Sequence, residues 1–147
     1  MTETVECLVL KGIKGIAEGE IFYINYGQIV TIGRSRSCDI SFHRFKKFNR
    51  LLKSKKDDDL LSVSRRHLRI AFYNSQCVEL KDLSTNGSFI NKRSFKKKII
   101  PDIKGKTYEI RLGARETFEL SWNKRELDQP EAIKNQSEKQ TSAGGEE

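Results

Sequence analysis

The sequence predicts an all-β sandwich, and three observations carry that prediction. Apolar and polar residues alternate with a period of two in several short runs, turn residues recur between the runs, and helical periodicity is nearly absent. The alternation is plainest where Phe118, Leu120 and Trp122 interleave with Thr117, Glu119, Ser121 and Asn123. Tyr108, Ile110 and Leu112 interleave with Thr107, Glu109 and Arg111 in the same way. Such a strand buries one row of side chains and wets the other, as antiparallel sheets do.

In chain order, the candidate strands are residues 6–10, 20–24 and 28–32, then Leu68, Ile70 and Phe72, then Val78 and Leu80, and finally the two runs above. Gly12, Gly15 and Gly19, Tyr26-Gly27, Tyr73-Asn74-Ser75, Asn86-Gly87 and Leu112-Gly113 punctuate them with residues that favour turns.

One segment departs from this pattern. Phe45, Phe48 and Leu52 sit at i, i+3 and i+7, one side of a short helix, with Lys46, Lys47, Arg50 and Lys53 on the other flanks. Residues 42–56 therefore read as a basic, partly helical insertion, extending to about residue 60 with its following loop. The Asp57-Asp58-Asp59 run belongs in that loop, because carboxylates oppose the negative end of a helix dipole. Beyond residue 124 apolar content collapses, so residues 1–124 are expected to form the domain and 125–147 a flexible, disordered tail.

The chain has 147 residues, 36% of them apolar and 33% charged, enough for one domain with a real core. No apolar run is long enough for a transmembrane helix or a secretory signal, and Cys7, Cys38 and Cys77 are odd in number. An intracellular protein with reduced thiols and no membrane association is expected. From Leu127 to Glu147 five carboxylates face two lysines, a net of −3, so a total of +8 leaves +11 on the rest. A body that basic attracts anions: phosphopeptide, nucleic acid or an acidic membrane surface.

An enzyme is hard to build from this inventory. His43 and His67 are the two histidines, the cysteines have no metal-ligand spacing, and Ser64 and His67 lack an evident acid. Gly12, Gly15 and Gly19 match neither a P-loop nor a dinucleotide fingerprint. No catalysis, cofactor or metal is expected.

Three loop motifs carry the binding chemistry: Gly33-Arg34, Ser64-Arg65-Arg66-His67, and Ser84-Thr85-Asn86-Gly87. Gathered at one end of a sandwich, they would offer guanidinium groups, hydroxyls and an amide to a phosphate monoester. Arg34 and Arg65 supply charged donors, although Arg66 could replace Arg65. Ser64 and Thr85 supply hydroxyls, and Asn86 offers a donor and an acceptor to a peptide backbone. Gly33 permits a turn that a Cβ would hinder, and Asn86-Gly87 also suits an ordinary tight turn.

Gly-Arg, then Ser-x-x-His, then Thr-Asn-Gly, in that order and separated by short strands, resembles the forkhead-associated (FHA) domain. Ser37-Cys38-Asp39-Ile40 and the run from Asp82 to Asn91 extend the likeness over roughly residues 5–124. The resemblance implies an eleven-stranded β-sandwich that binds phosphothreonine across its apical loops, in intracellular signalling that requires an upstream Ser/Thr kinase. It further implies that Arg34 and Ser64 grip the phosphate, that Arg65 and Thr85 line the site, and that Asn86 holds the peptide main chain. Gly33, His67 and Gly87 would support it, His67 by internal hydrogen bonds.

The insertion departs from the family pattern, since Ile40 and Ser64 stand 24 positions apart. Seven cations, from Arg44 to Lys56, face three aspartates. The segment could extend the peptide site, favour acidic targets, cover the pocket, or simply be a solvated excursion. Lys92-Arg93 and Lys96-Lys97-Lys98 read as a solvated basic hairpin. The alternatives to phosphopeptide binding are nucleic-acid or other polyanion binding through the insertion, and a phosphorylation-independent scaffold.

Overall fold

The computed structural model describes residues 3–54 and 60–126. The expected placement of Asp57-Asp58-Asp59 and the expected tail from residue 127 onward lie outside the described residues.

Short alternating runs pair into two sheets, as their patterning requires. The strands are β1 (Thr4–Lys14), β2 (Ile21–Asn25), β3 (Ile29–Gly33), β4 (Ile40–Ser41), β5 (Leu68–Asn74), β6 (Cys77–Asp82), β7 (Ser88–Ile90), β8 (Arg93–Phe95), β9 (Lys97–Ile100), β10 (Thr107–Leu112) and β11 (Glu116–Glu126). One sheet has the order β2-β1-β11-β10-β7-β8 and the other β4-β3-β5-β6-β9. All pairings are antiparallel except that of β3 with β4.

The inward rows meet between the sheets. Leu8, Leu10, Ile24, Phe118 and Leu120 come from one sheet, and Ile32, Leu68, Ile70, Phe72, Val78 and Leu80 from the other, all essentially fully buried. Burial of this apolar area is the main drive for closing the sandwich. Among the described residues no helix is long and apolar enough to cross a membrane. The three cysteines form no disulfide; Cys7 and Cys38 are buried.

The structure alters three expectations of the fold. β11 runs through Glu126, with Val5 opposite Arg125, so the first two residues assigned to the tail continue the sheet. Arg125 is held there by stacking over Tyr23, 4.8 Å from the ring centroid. The basic stretch 92–98 is not one hairpin: β8 pairs with β7, whereas β9 crosses to the second sheet and pairs with β6. Val78 opposite Ile100 draws it there, because burying Ile100 needs the second sheet's inner face.

The insertion holds a 3₁₀ turn at Phe42–Arg44, α1 (Lys46–Ser54), and a second 3₁₀ turn at Leu60–Ser62. Phe42, Phe45 and Phe48 are buried and stack edge-on, with Phe45 also meeting Phe22 of β2. Leu52, expected on the buried side, is exposed, and Leu51 packs against the core instead. Phe45 precedes α1, so the helix is phased from Phe48 and the apolar stripe continues through its i+3 neighbour Leu51.

Candidate functional site

Gly33 ends β3 at one rim of the second sheet, and its register partner Ser41 opens the insertion. From that rim the loop of residues 64–66 folds directly over Gly33. The Arg34 N–H donates to the Ser64 carbonyl at 3.1 Å, and the Ser35 N–H to the Arg65 carbonyl at 2.9 Å. A Cβ on Gly33 would stand 2.1 Å from the Arg65 carbonyl oxygen. The glycine is therefore required for close backbone approach, and the turn reading of this position gives way to that steric one.

The Arg34 guanidinium is half-buried, and its Nε donates to the Val63 carbonyl. Burial first, then the adjacent Arg65 charge, pull its pKa below the ordinary value. It stays a cation at any physiological pH. Arg65 thus acts on Arg34, while the Arg66 charge acts on the Cys38 thiol, which burial pushes up to about 11. Cys38 Sγ donates to the Arg65 carbonyl at 3.1 Å and so helps hold the same loop.

His67 is completely buried behind this loop. Its Nδ1 accepts from the Ser64 N–H at 3.0 Å, which fixes the proton on Nε2, and Nε2–H donates to the Gly87 carbonyl at 2.8 Å. Burial lowers its pKa more than the Gly87 carbonyl and Asp82 raise it. A neutral imidazole therefore braces two motif loops. The backbone of His67 joins a third and a fourth segment, donating to Ile32 and accepting from Leu83, each at 2.8 Å.

The loop of residues 84–87 is organised by Asp82, whose side chain is fully buried. Asp82 Oδ1 accepts from the Ser84 N–H, the Ser84 hydroxyl and the Ser88 hydroxyl, and Oδ2 faces Lys96 Nζ at 3.3 Å. Burial alone would raise its pKa, but these donors outweigh burial and hold it low. Ser84 Oγ in turn accepts from the Gly87 N–H at 2.8 Å. Gly87 adopts φ +101°, which side-chain-bearing residues rarely adopt.

This scaffold presents the exposed Thr85 and Asn86 beside Ser64. The Thr85 N–H donates to Ser64 Oγ at 3.0 Å, leaving the Ser64 hydroxyl hydrogen for another acceptor. Asn86 Nδ2 donates to the Ser62 carbonyl at 3.1 Å. All three motifs therefore meet at one end of the sandwich, as a rim of two guanidinium groups, two hydroxyls and an amide. The buried phenylalanines of the insertion lie in the core rather than on this rim.

Sequence reasoning assigned no role to Asp82, Ser62, Val63 or Cys38. Asp82-x-Ser84 does carry a local signal, since an aspartate commonly accepts from the backbone two residues on. The carbonyls of Ser62 and Val63 carry none, because any residue would supply them. Among the described residues, no three His, Cys, Asp or Glu side chains gather as metal ligands.

The FHA domain family matches residues 30–118. Among curated proteins, no relative matches the sequence. Three solved structures show the same fold. The FHA domain of CT664 from Chlamydia trachomatis is 22% identical, covering 78% of this chain and 96% of its own, with a TM-score of 0.57. The FHA domain of an Arabidopsis thaliana hypothetical protein is 23% identical over 80% and 86%, also at 0.57. A third, described in terms of phosphothreonine-dependent FHA domain interactions, is 24% identical over 80% and 95%, at 0.50.

Proposed function

Since this chain belongs to the FHA domain family, its match running over residues 30–118, we propose that it binds phosphothreonine on a partner protein through the rim built from Arg34, Ser64, Arg65, Thr85 and Asn86. The observation that carries the reading is the convergence of the three motif loops: the Arg34 N–H donates to the Ser64 carbonyl, the Ser35 N–H to the Arg65 carbonyl and the Thr85 N–H to Ser64 Oγ. A phosphate dianion placed there meets cationic and hydroxyl donors from all three.

The division of labour follows from which atoms are already committed. Arg34 spends Nε on Val63 and directs its terminal amino groups to the phosphate. Ser64 receives the Thr85 amide and donates its own hydroxyl hydrogen. Arg65 and the Thr85 hydroxyl complete the charge and the donor set. Asn86 keeps one amide hydrogen and its carbonyl oxygen for the peptide main chain, after donating once to Ser62. The dependence on phosphothreonine attributed to one structural relative supports the choice of phosphoamino acid. An upstream Ser/Thr kinase and an intracellular partner follow from that choice.

Titration calorimetry tests the reading with a degenerate phosphothreonine library, its phosphoserine counterpart and the unphosphorylated peptides. Phosphothreonine binds best, and Arg34→Ala abolishes the distinction. Equal binding of all three classes would overturn the reading.

A further inference from the structure

Between Phe42 and Lys53 the chain carries Arg44, Lys46, Lys47, Arg50 and Lys53 and not one carboxylate. Lys46, Asn49, Arg50 and Lys53 recur at i, i+3, i+4 and i+7 and line an open groove of about 560 Å³ along α1. None of Lys46, Lys47, Arg50 and Lys53 pairs with a carboxylate among the described residues. Lysines and arginines elsewhere do pair: Arg69 and Lys97 with Glu79, Arg115 with Glu116, Lys96 with Asp82.

This cationic face is rigidly mounted. Phe42 and Phe48 are fully buried, and their rings stack edge-on at 6.0 Å. His43 packs against Phe48 at 4.9 Å, and Asn49 Nδ2 donates to the His43 carbonyl at 3.0 Å, tying the 3₁₀ turn to α1. A solvated excursion would not spend three phenylalanines on fixing its orientation.

One end of the face is tethered to the phosphate rim by a short stretch of chain. Ser41 is the register partner of Gly33, and four residues, three of them in a 3₁₀ turn, separate it from Lys46, five steps along the chain. At about 2 Å per 3₁₀ residue, about 3.4 Å per extended residue and about 4.8 Å between strands, Lys46 lies within about 18 Å of Gly33. At its other end the insertion returns through Ser62 and Val63, whose carbonyls accept from Asn86 and Arg34.

We infer that the α1 face formed by Lys46, Arg50 and Lys53 is a second recognition surface, which takes an acidic stretch of the same partner peptide within about six residues of its phosphothreonine. The inference rests on the reading of the rim as a phosphothreonine site. Charge complementarity chooses the occupant, and the short tether to the rim makes its binding intramolecular once the phosphate is held.

The test compares wild type with the triple variant Lys46→Gln, Arg50→Gln, Lys53→Gln. All three side chains project from α1 onto the groove, so circular dichroism and melting temperature should match wild type. Phosphothreonine peptides flanked by Asp and Glu, on either side, are titrated beside versions flanked by Asn and Gln. At about 0.1 M salt the acidic peptides bind wild type about tenfold more tightly, as several exposed ion pairs acting together allow. The triple variant loses that gap and keeps its affinity for the neutral-flank phosphopeptides. Indifference to flank charge, with phosphothreonine still discriminated from threonine, would overturn the inference and leave the rim reading intact. Loss of phospho-discrimination in wild type would instead sink the rim reading and this inference with it. Tight binding of a plain DNA duplex, abolished in the triple variant, would reassign the face to nucleic acid.

Discussion

The backbone amide of Thr85 donates to the hydroxyl oxygen of Ser64 across 3.0 Å, joining two loops 21 residues apart in sequence. The bond orients the serine. Because Oγ already accepts from Thr85, its hydroxyl hydrogen is left to donate to a bound anion. The proposed peptide site therefore depends on loop geometry as much as on charge.

Arg34→Ala should weaken phosphothreonine-peptide binding by about 2–5 kcal/mol, because it strips the partner of a charge that binding has desolvated. The variant also loses the Nε bond to Val63. Calorimetry and a thermal melt together check the expectation. An affinity within a factor of two of wild type would remove Arg34 from the site.

Ser64→Ala should cost less, roughly 0.5–1.5 kcal/mol of binding, since the freed Thr85 amide is exposed and water takes it up. Faster hydrogen exchange at the Thr85 amide, with the rest of the sandwich unchanged, is the accompanying signature. Unchanged exchange there would contradict the bridge.

Gly33→Ala should impair the site through the backbone, since the new methyl meets the Arg65 carbonyl at 2.1 Å. Displacing residues 64–66 should cost roughly 1–3 kcal/mol of stability and scatter Arg34, Ser64 and Arg65. Urea denaturation and peptide titration of one preparation measure both effects. A variant as stable and as competent as wild type would show that the loop yields freely.

His67 makes stability depend on pH with a defined sign. Its folded pKa lies below the ordinary 6.5, because burial favours the neutral ring and Nδ1 must remain an acceptor for Ser64. Its contribution is complete above about pH 6.5 and is lost as the pH falls through the folded value, where the unfolded chain takes up the proton first. Urea unfolding without peptide at pH 7.5 and 5.5 should show wild type losing stability and His67→Gln losing less. The peptide is omitted because phosphate itself gains a proton near pH 6. Identical losses in both proteins would assign the effect elsewhere.

Asp82→Ala should destabilise the fold by about 1–3 kcal/mol, because it leaves the Ser84 and Ser88 hydroxyls without their buried acceptor. The turn presenting Thr85 and Asn86 loosens with it, so peptide affinity falls as well. A circular-dichroism melt and a peptide titration decide the matter, and full affinity in the variant would show that the turn stands without the carboxylate.

Period-two patterning sufficed to expose β5, β6, β10 and β11, because each is long enough for alternation to repeat and one face of each meets the core. It missed β4, β7, β8 and β9 as separate strands, which run for two, three, three and four residues. Two of these lie in the basic stretch 92–98, where charge masked the change of sheet. Leu52 was misplaced for a related reason: over nine helical residues a single-position error in phase exchanges a core leucine for an exposed one.

The residues of the rim were legible because their types are chemically demanding: arginine for a dianion, hydroxyls for its oxygens, glycine where no Cβ fits. What holds them together was not. Val63 and Ser62 act through carbonyl groups that every residue has, and Asp82 and Cys38 act from buried positions set by pairings far along the chain. Composition and periodicity determined a β-sandwich with a basic insertion. Whether that insertion swung free or stood fixed against the sandwich was decided by three phenylalanines finding space in a core that exists only once both sheets have closed.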